Sequence, residues 1–328
     1  MRRILPFFML FFALASCLPL GLAAQGKQAV PSTWDKAYFL SGHSRARFEL
    51  DLSEAVINGV EAEDFKAMEP EWKTGVKDMT LDFVQAFNKA ASSGIQPFRI
   101  GSTMETELCF VLKVGDVTEG GACVEGVLEV LSADGTLLFA KPVYARKGMF
   151  GTQLNLMGDA LEVIGATLGD EVSNRFRVPD SNLKELKQVV KGLVKDGETI
   201  ALRFEFSDYL LKQLVDRGYT NTADEAFVAG MEKTFLDSFK ASLVKSLGPV
   251  SENKVFVADE NPAGAVMTLK FIAVANRQDE TDMFAEVFLE RKDGTMVYGI
   301  LNNGEITGLK KFCDLQMEKM GKKLGKIK

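Results

Sequence analysis

Glu162-Val163-Ile164-Gly165-Ala166-Thr167-Leu168-Gly169 returns near the end of the chain as Glu318-Lys319-Met320-Gly321-Lys322-Lys323-Leu324-Gly325. Glu, Gly, Leu and Gly keep their places, and the copies lie 156 residues apart (162 to 318). Arg47-Phe48-Glu49 returns at the same spacing as Arg203-Phe204-Glu205 (47 to 203). One spacing that fits both ends of a long segment, across unlike local patterns, indicates a structural unit carried twice in tandem.

The segments between these anchors give the unit its content. Arg45 to Leu52 alternates, with Ala46, Phe48, Leu50 and Leu52 on one side and Arg47, Glu49 and Asp51 on the other, as a half-buried strand does. Thr199 to Phe206 is its counterpart. After Asn58-Gly59 and Pro70, the side chains Trp72, Val76, Met79, Phe83 and Phe87 recur at helical spacing, and Ser92-Ser93-Gly94 ends that helix. The second copy has Phe227, Met231, Phe235, Phe239 and Leu243, capped by Thr222 or Asp224 and ended by Gly248-Pro249. Such stripes are core packing before they are ligand boxes.

Three strands follow in each copy: 105–114, 123–131 and 136–145 in the first, then 268–275, 283–291 and 295–301 in the second. Asp134-Gly135 and Asp293-Gly294 mark turns. The repeated Glu-Gly-Leu-Gly helix closes each unit. A glycine costs a helix interior about 1 kcal/mol relative to Ala, so Gly165 and Gly321 predict a helix that packs unusually close to the sheet. The fold class expected is α+β: a tandem duplication of a β-α-β-β-β-α unit, helices on one face of a mostly antiparallel sheet. The boundaries fall at 1–24 for a signal peptide, 25–37 for a polar lead-in, 38–178 for the first unit, 179–197 for an amphipathic linker carrying Leu183, Leu186, Val190 and Leu193, and 198–328 for the second unit.

Arg2-Arg3, an apolar run from Ile4 to about Leu18, the breakers Pro19 and Gly21, and Leu22-Ala23-Ala24 before Gln25 make an export leader. Cleavage after Ala24 is favoured. Leu14-Ala15-Ser16-Cys17 resembles a lipobox and makes lipidation at Cys17 the alternative. The chain is therefore expected outside the cytoplasm, periplasmic or associated with an outer membrane, with no membrane span after cleavage. Its net charge of -6 argues against nucleic acid, which needs a basic face.

The run Ile57-Asn58-Gly59-Val60-Glu61-Ala62-Glu63-Asp64-Phe65, then Trp72, Phe83 and Phe87, then the terminal Met320-Gly321-Lys322-Lys323-Leu324-Gly325, resembles a group of uncharacterised small secreted envelope proteins. The element order is similar to periplasmic modules such as the N-terminal domain of the Tol-Pal translocation protein and the periplasmic domain of the curli-export lipoprotein. The resemblance implies an envelope protein working through surfaces, and it brings no catalytic residues.

The chemistry-bearing residues point the same way. His43 is the only histidine and lies in the polar loop Ser41-Gly42-His43-Ser44, with no motif around it. No Cys-x-x-Cys pair and no phosphate loop is present, so neither metal nor cofactor is expected. The expected function is non-catalytic binding to an envelope protein or an anionic envelope component. A small-ligand carrier and an enzyme without a recognisable motif are the alternatives. Two sets of residues stand out. Cys109 and Cys123 lie on neighbouring strands and would bridge if the hairpin register sets them opposite each other. Lys319, Lys322, Lys323 and Lys326, on the basic stretch 310–328, would suit an anionic partner. Arg47, Glu49, Cys109, Val111 and Lys113 share the face away from the helices. That mixture is too apolar to leave wholly solvated and too polar for a core, so it suits docking between the units or onto a partner.

Overall fold

The computed structural model describes residues 30–177, 183–247, 256–257, 264–277 and 280–303. It is an α+β protein with two mostly antiparallel sheets. The leader, Cys17, Cys313 and the lysine-rich 310–328 stretch lie outside the described residues.

The first half opens with two short 3-10 turns, Trp34–Lys36 and Tyr38–Leu40. β1 is Arg45–Asp51, and a small hairpin of β2 (Val56–Ile57) and β3 (Val60–Glu61) follows, turning on Asn58 and Gly59, both at positive φ. α1 (Ala62–Met68) leads into α2 (Trp72–Ala91). Then come β4 (Arg99–Gly101), β5 (Leu108–Thr118), β6 (Cys123–Ser132) and β7 (Leu137–Arg146), and α3 (Gln153–Asn174) closes the half. β1 sits inside the sheet, parallel to β4 on one side and β5 on the other, and β5, β6 and β7 form an antiparallel meander.

The second half begins with α4 (Leu183–Lys195), then β8 (Ile200–Phe206), α5 (Asp208–Asp216), α6 (Glu225–Leu247), β9 (Phe256–Val257), β10 (Ala265–Arg277), β11 (Glu280–Arg291) and β12 (Met296–Asn303). Its sheet runs β12-β11-β10-β8-β9. The first sheet has the same run, β7-β6-β5-β1-β4. The directions agree as well: β8 is parallel to both β9 and β10, and β10, β11 and β12 alternate.

α2 and α3 cover one face of the first sheet. The stripe on α2 buries Met79, Phe83 and Phe87, and the Phe83 ring stacks on Phe48 of β1 at 4.3 Å between centroids. Gly165 makes the close approach expected of it, but to the neighbouring helix and not to the sheet. A Cβ there would lie 2.5 Å from the Phe83 carbonyl oxygen, and one at Gly169 would lie 2.4 Å from that of Phe87. The glycines remove the side chains that would hold the two helices apart.

Two segments are more integrated than their composition suggests. Trp34 of the lead-in is buried, stacks on Phe139 at 4.3 Å and donates its indole N–H to Glu171 at 2.8 Å, so packing starts before residue 38. α4 is no loose linker: Leu186, Val190 and Leu193 are buried in the second core. Each half thus has its own hydrophobic cluster.

A third cluster joins the halves. Ile95 and Phe176 of the first half meet Ile272, Ala273, Phe284, Tyr298 and Ile300, with Tyr38 packed against them. The bulge in β10 between Phe271 and Ala273 places Ile272 in this cluster while Phe271 stays in the second core. The helix-free face of the second sheet is therefore covered by the lead-in and helix ends of the first half.

Candidate interaction surface

Among the described residues, the helix-free face of the first sheet has no such cover. Cross-strand register arranges it in rows: Arg47, Cys109 and Leu131; Glu49, Val111, Glu129 and Ala140; Asp51, Lys113, Val127 and Pro142. Tyr144, opposite Glu125, continues the face and is 60% exposed. Arg47 pairs with Glu49 at 2.9 Å and Lys113 with Glu129 at 2.9 Å. Such exposed pairs are largely screened by solvent, so they stabilise the sheet little and are available for exchange with a partner's charges. Cys109 and Val111 are buried between them, while Val127 and Leu131 are half-buried. This is the mixed composition of a docking surface.

The β7–α3 connection adds a more apolar feature. Met149 and Phe150 are 84% and 90% exposed. With Tyr144 they supply three of the seven exposed large hydrophobic residues among the described residues, within a single seven-residue stretch, which marks this corner off from scattered surface apolar groups. Gly148 has φ 89, and a Cβ on it would lie 2.5 Å from Leu156 Cδ2, so the tip needs glycine there. Thr152 caps α3 just beyond, accepting from the Asn155 N–H. The nearby Lys147 pairs with Glu162, and Asp159 lies 4.0 Å from it. Asp82 is held above the usual carboxylate range by burial first and then by Glu162, Asp78 and Asp159.

The residues singled out in the sequence fall as follows. Cys109 and Cys123 are both buried and free. The hairpin register opposes Cys109 to Leu131 and Cys123 to Thr118, placing them toward opposite ends of the ladder, so the condition for a Cys109–Cys123 bridge is not met. Cys109 does lie on the helix-free face. Burial raises its thiol pKa, with Arg47, whose Nε donates to the sulfur at 3.5 Å, opposing. The thiol form is favoured, and such a cysteine is a poor nucleophile. His43 lies 3.9 Å from Glu107. Lys319, Lys322, Lys323 and Lys326 lie outside the described residues. Among the described residues, no group of three or more His, Cys, Asp or Glu is placed to hold a metal ion, and no helix is long and apolar enough to cross a membrane.

The most unusual polar groups were not anticipated. At the junction of the halves Glu286 of β11 is fully buried and accepts a hydrogen bond from the Tyr298 hydroxyl at 2.8 Å. Arg175, after α3, is buried as well. It donates to the Val172 carbonyl at 3.0 Å and to Gln96 Oε1 at 3.1 Å, and its guanidinium carbon lies 4.2 Å from the centre of the Phe176 ring. Glu286 Oε2, Arg175 Nε and the Ser41 hydroxyl are without a hydrogen-bond partner among the described residues. Burial pushes the Glu286 carboxyl above its usual range, with Ser41, Arg175, Tyr298 and Lys270 pulling against it. Burial lowers the Arg175 pKa, with Glu286 opposing. In sequence Glu286 occupies the outward phase of an alternating strand, the position of an ordinary solvated charge. Only the packing of the halves identifies it. The Met149-Phe150 pair between glycines was the one legible signal for the apolar tip.

Fold and surface together define an α+β protein with two sheets of like strand order, one covered by the other half of the chain and one open among the described residues. No family model and no curated protein matches the chain. Among solved structures it is similar to a dodecamer of a PelC point variant from Paraburkholderia phytofirmans, at 13% identity over 39% of this chain and 86% of that one, with a TM-score of 0.24. It is also similar to an uncharacterised protein, at 9% identity over 39% of this chain and 90% of that one, with a TM-score of 0.24. Likenesses this loose extend neither to the site nor to a partner.

Proposed function

We propose that this is an exported, non-catalytic protein of the cell envelope that binds a protein partner through the open face of its first sheet. The observation that carries the reading is the asymmetry of the two sheets: like in strand order, they differ in that the second is faced by Tyr38, Ile95 and Phe176 while the first presents Val111, Val127, Leu131 and Tyr144 among exchangeable ion pairs. The shared order and directions also support one unit duplicated in tandem, whose copies have diverged in what covers them. That the sequence carries a single histidine, in a loop with no motif around it, supports a binding role over hydrolytic chemistry. Residues 1–24 act as the export signal. The lysines at 319, 322, 323 and 326 supply a second, electrostatic contact with an anionic envelope component.

Site-specific photo-crosslinking tests this. A crosslinker at Val127 or Tyr144 is expected to trap one discrete partner in native envelopes, and one at Leu81, exposed on α2, is expected to trap none. Equal trapping from both faces would contradict the assignment.

A further inference from the structure

We propose that Glu286 makes the junction between the two halves a pH-responsive latch, closed when its carboxyl carries a proton and loosened when it ionises. The latch is independent of what the open face binds.

Glu286 sits on the helix-free face of the second sheet, where the first half covers it. Its Oε1 accepts from Tyr298, and its Oε2 has no hydrogen-bond partner among the described residues. That pattern fits a neutral acid, whose carbonyl oxygen accepts from Tyr298 and whose hydroxyl tolerates a missing acceptor better than an anion tolerates missing donors. It fits a carboxylate badly, because a buried anion requires a close counter-charge or several donors. No ion pair within the usual contact distance is found for Glu286 among the described residues, and Arg175 turns its two terminal nitrogens to Val172 and Gln96, leaving Nε without a partner there.

The groups that face Glu286 come from every element packed around it. The stretch before β1 contributes Ser41 and Tyr38, with Asp35 acting on Tyr298 from further off. The end of α3 contributes Arg175. β12 contributes Tyr298, and β10 contributes Lys270, which lies 3.9 Å from Glu205. Burial raises the carboxyl above its usual range, outweighing Ser41, Arg175, Tyr298 and Lys270, all of which favour the anion.

In the open form Glu286 is solvated and titrates near 4.5, its ordinary value. In the closed form it titrates higher. Closure is therefore fully favoured below about 4.5 and is weakened as pH rises from there through the closed-form pKa, by up to about tenfold per pH unit in the closed-to-open ratio. Neither half needs to unfold, because each has its own core. Opening would uncover Ile272, Phe284, Tyr298 and Ile300, the second sheet's counterpart of the open face.

Energy transfer between fluorophores carried by unnatural amino acids at Leu81 and Lys292 of the full chain, titrated from pH 4.5 to 9, reads the closed-to-open ratio. The parent is expected to shift toward the open population as pH rises. Glu286→Gln is expected to remain closed and flat across the range. Tyr298→Phe removes a donor that helps the anion, so its decline is expected to extend to higher pH. A parent whose ratio does not change with pH overturns the proposal even if the glutamine variant fails to fold. So does a Glu286→Gln variant that keeps the parent's slope.

Discussion

Asn88 does for β4 what a neighbouring strand would do. Its amide donates to the Ile100 carbonyl at 2.9 Å, and its carbonyl accepts the Ile100 N–H at 2.8 Å. Asn88→Ala leaves both groups to find water at a packed edge, so stability should fall by about 1–3 kcal/mol in denaturant titration. Gly165 is the converse case. A methyl there meets backbone, which cannot rotate away, and Gly165→Ala should destabilise by about 1–3 kcal/mol despite its better helix propensity. A stabilised Gly165→Ala protein would mean the two helices are not this close. Peptide mapping under non-reducing conditions should recover Cys109 and Cys123 as separate alkylated peptides, and a linked pair would contradict the hairpin register. Gly165 also shows what a single residue discloses. Its recurrence signalled close packing, but which element lay opposite was a tertiary fact with no local trace.

The helices and long strands were legible because they repeat a period over many residues. The stripes of α2 and α6 and the alternation of β5 to β7 fall where the sequence puts them, within a few residues. Elements of two or three residues, such as β2, β3, β4 and β9, are too short to show a period and were missed. So were the short helices α1 and α5, whose ends are set by local capping, as where Ser207 accepts from the Leu210 N–H. The placing of β1 between two parallel neighbours has no local signal, because alternation is the same whichever strand is beside it. α4 carried a clear stripe, but its neighbours could not be read from it. Its burial makes Leu186→Ala a core deletion, expected to cost about 2–5 kcal/mol. A change under about 1 kcal/mol in equilibrium unfolding would return the segment to the status of a linker.

At the scale of the molecule, the face carrying Arg47, Glu49, Cys109, Val111 and Lys113 suits docking between the units or onto a partner, but the halves meet instead through the helix-free face of the second sheet. Among the described residues the first sheet's face stays open, since the surfaces that cover the second one are a lead-in and helix ends instead of a matching sheet. The open face itself was legible: Arg47, Glu49, Cys109, Val111 and Lys113 share it by strand phase. The buried Glu286–Tyr298 pair and Arg175 were not, because charged residues in alternating or helix-terminal positions normally face water. If the lysine stretch contributes an electrostatic contact, replacing Lys319, Lys322, Lys323 and Lys326 with Gln should weaken envelope association at low salt and matter little at high salt, where charges beyond about 10 Å are already screened at 0.1 M.

The central claim is that the open face of the first sheet is the binding surface. Retention of purified Val127→Glu on native envelope fractions, against Leu81→Glu on the opposite layer, tests it most directly. A carboxylate in the middle of a desolvated contact costs at least about 1–3 kcal/mol, so Val127→Glu should bind about tenfold or more weakly than the parent while Leu81→Glu binds as the parent does. Equal retention of both variants, with both folded by circular dichroism, would contradict the account.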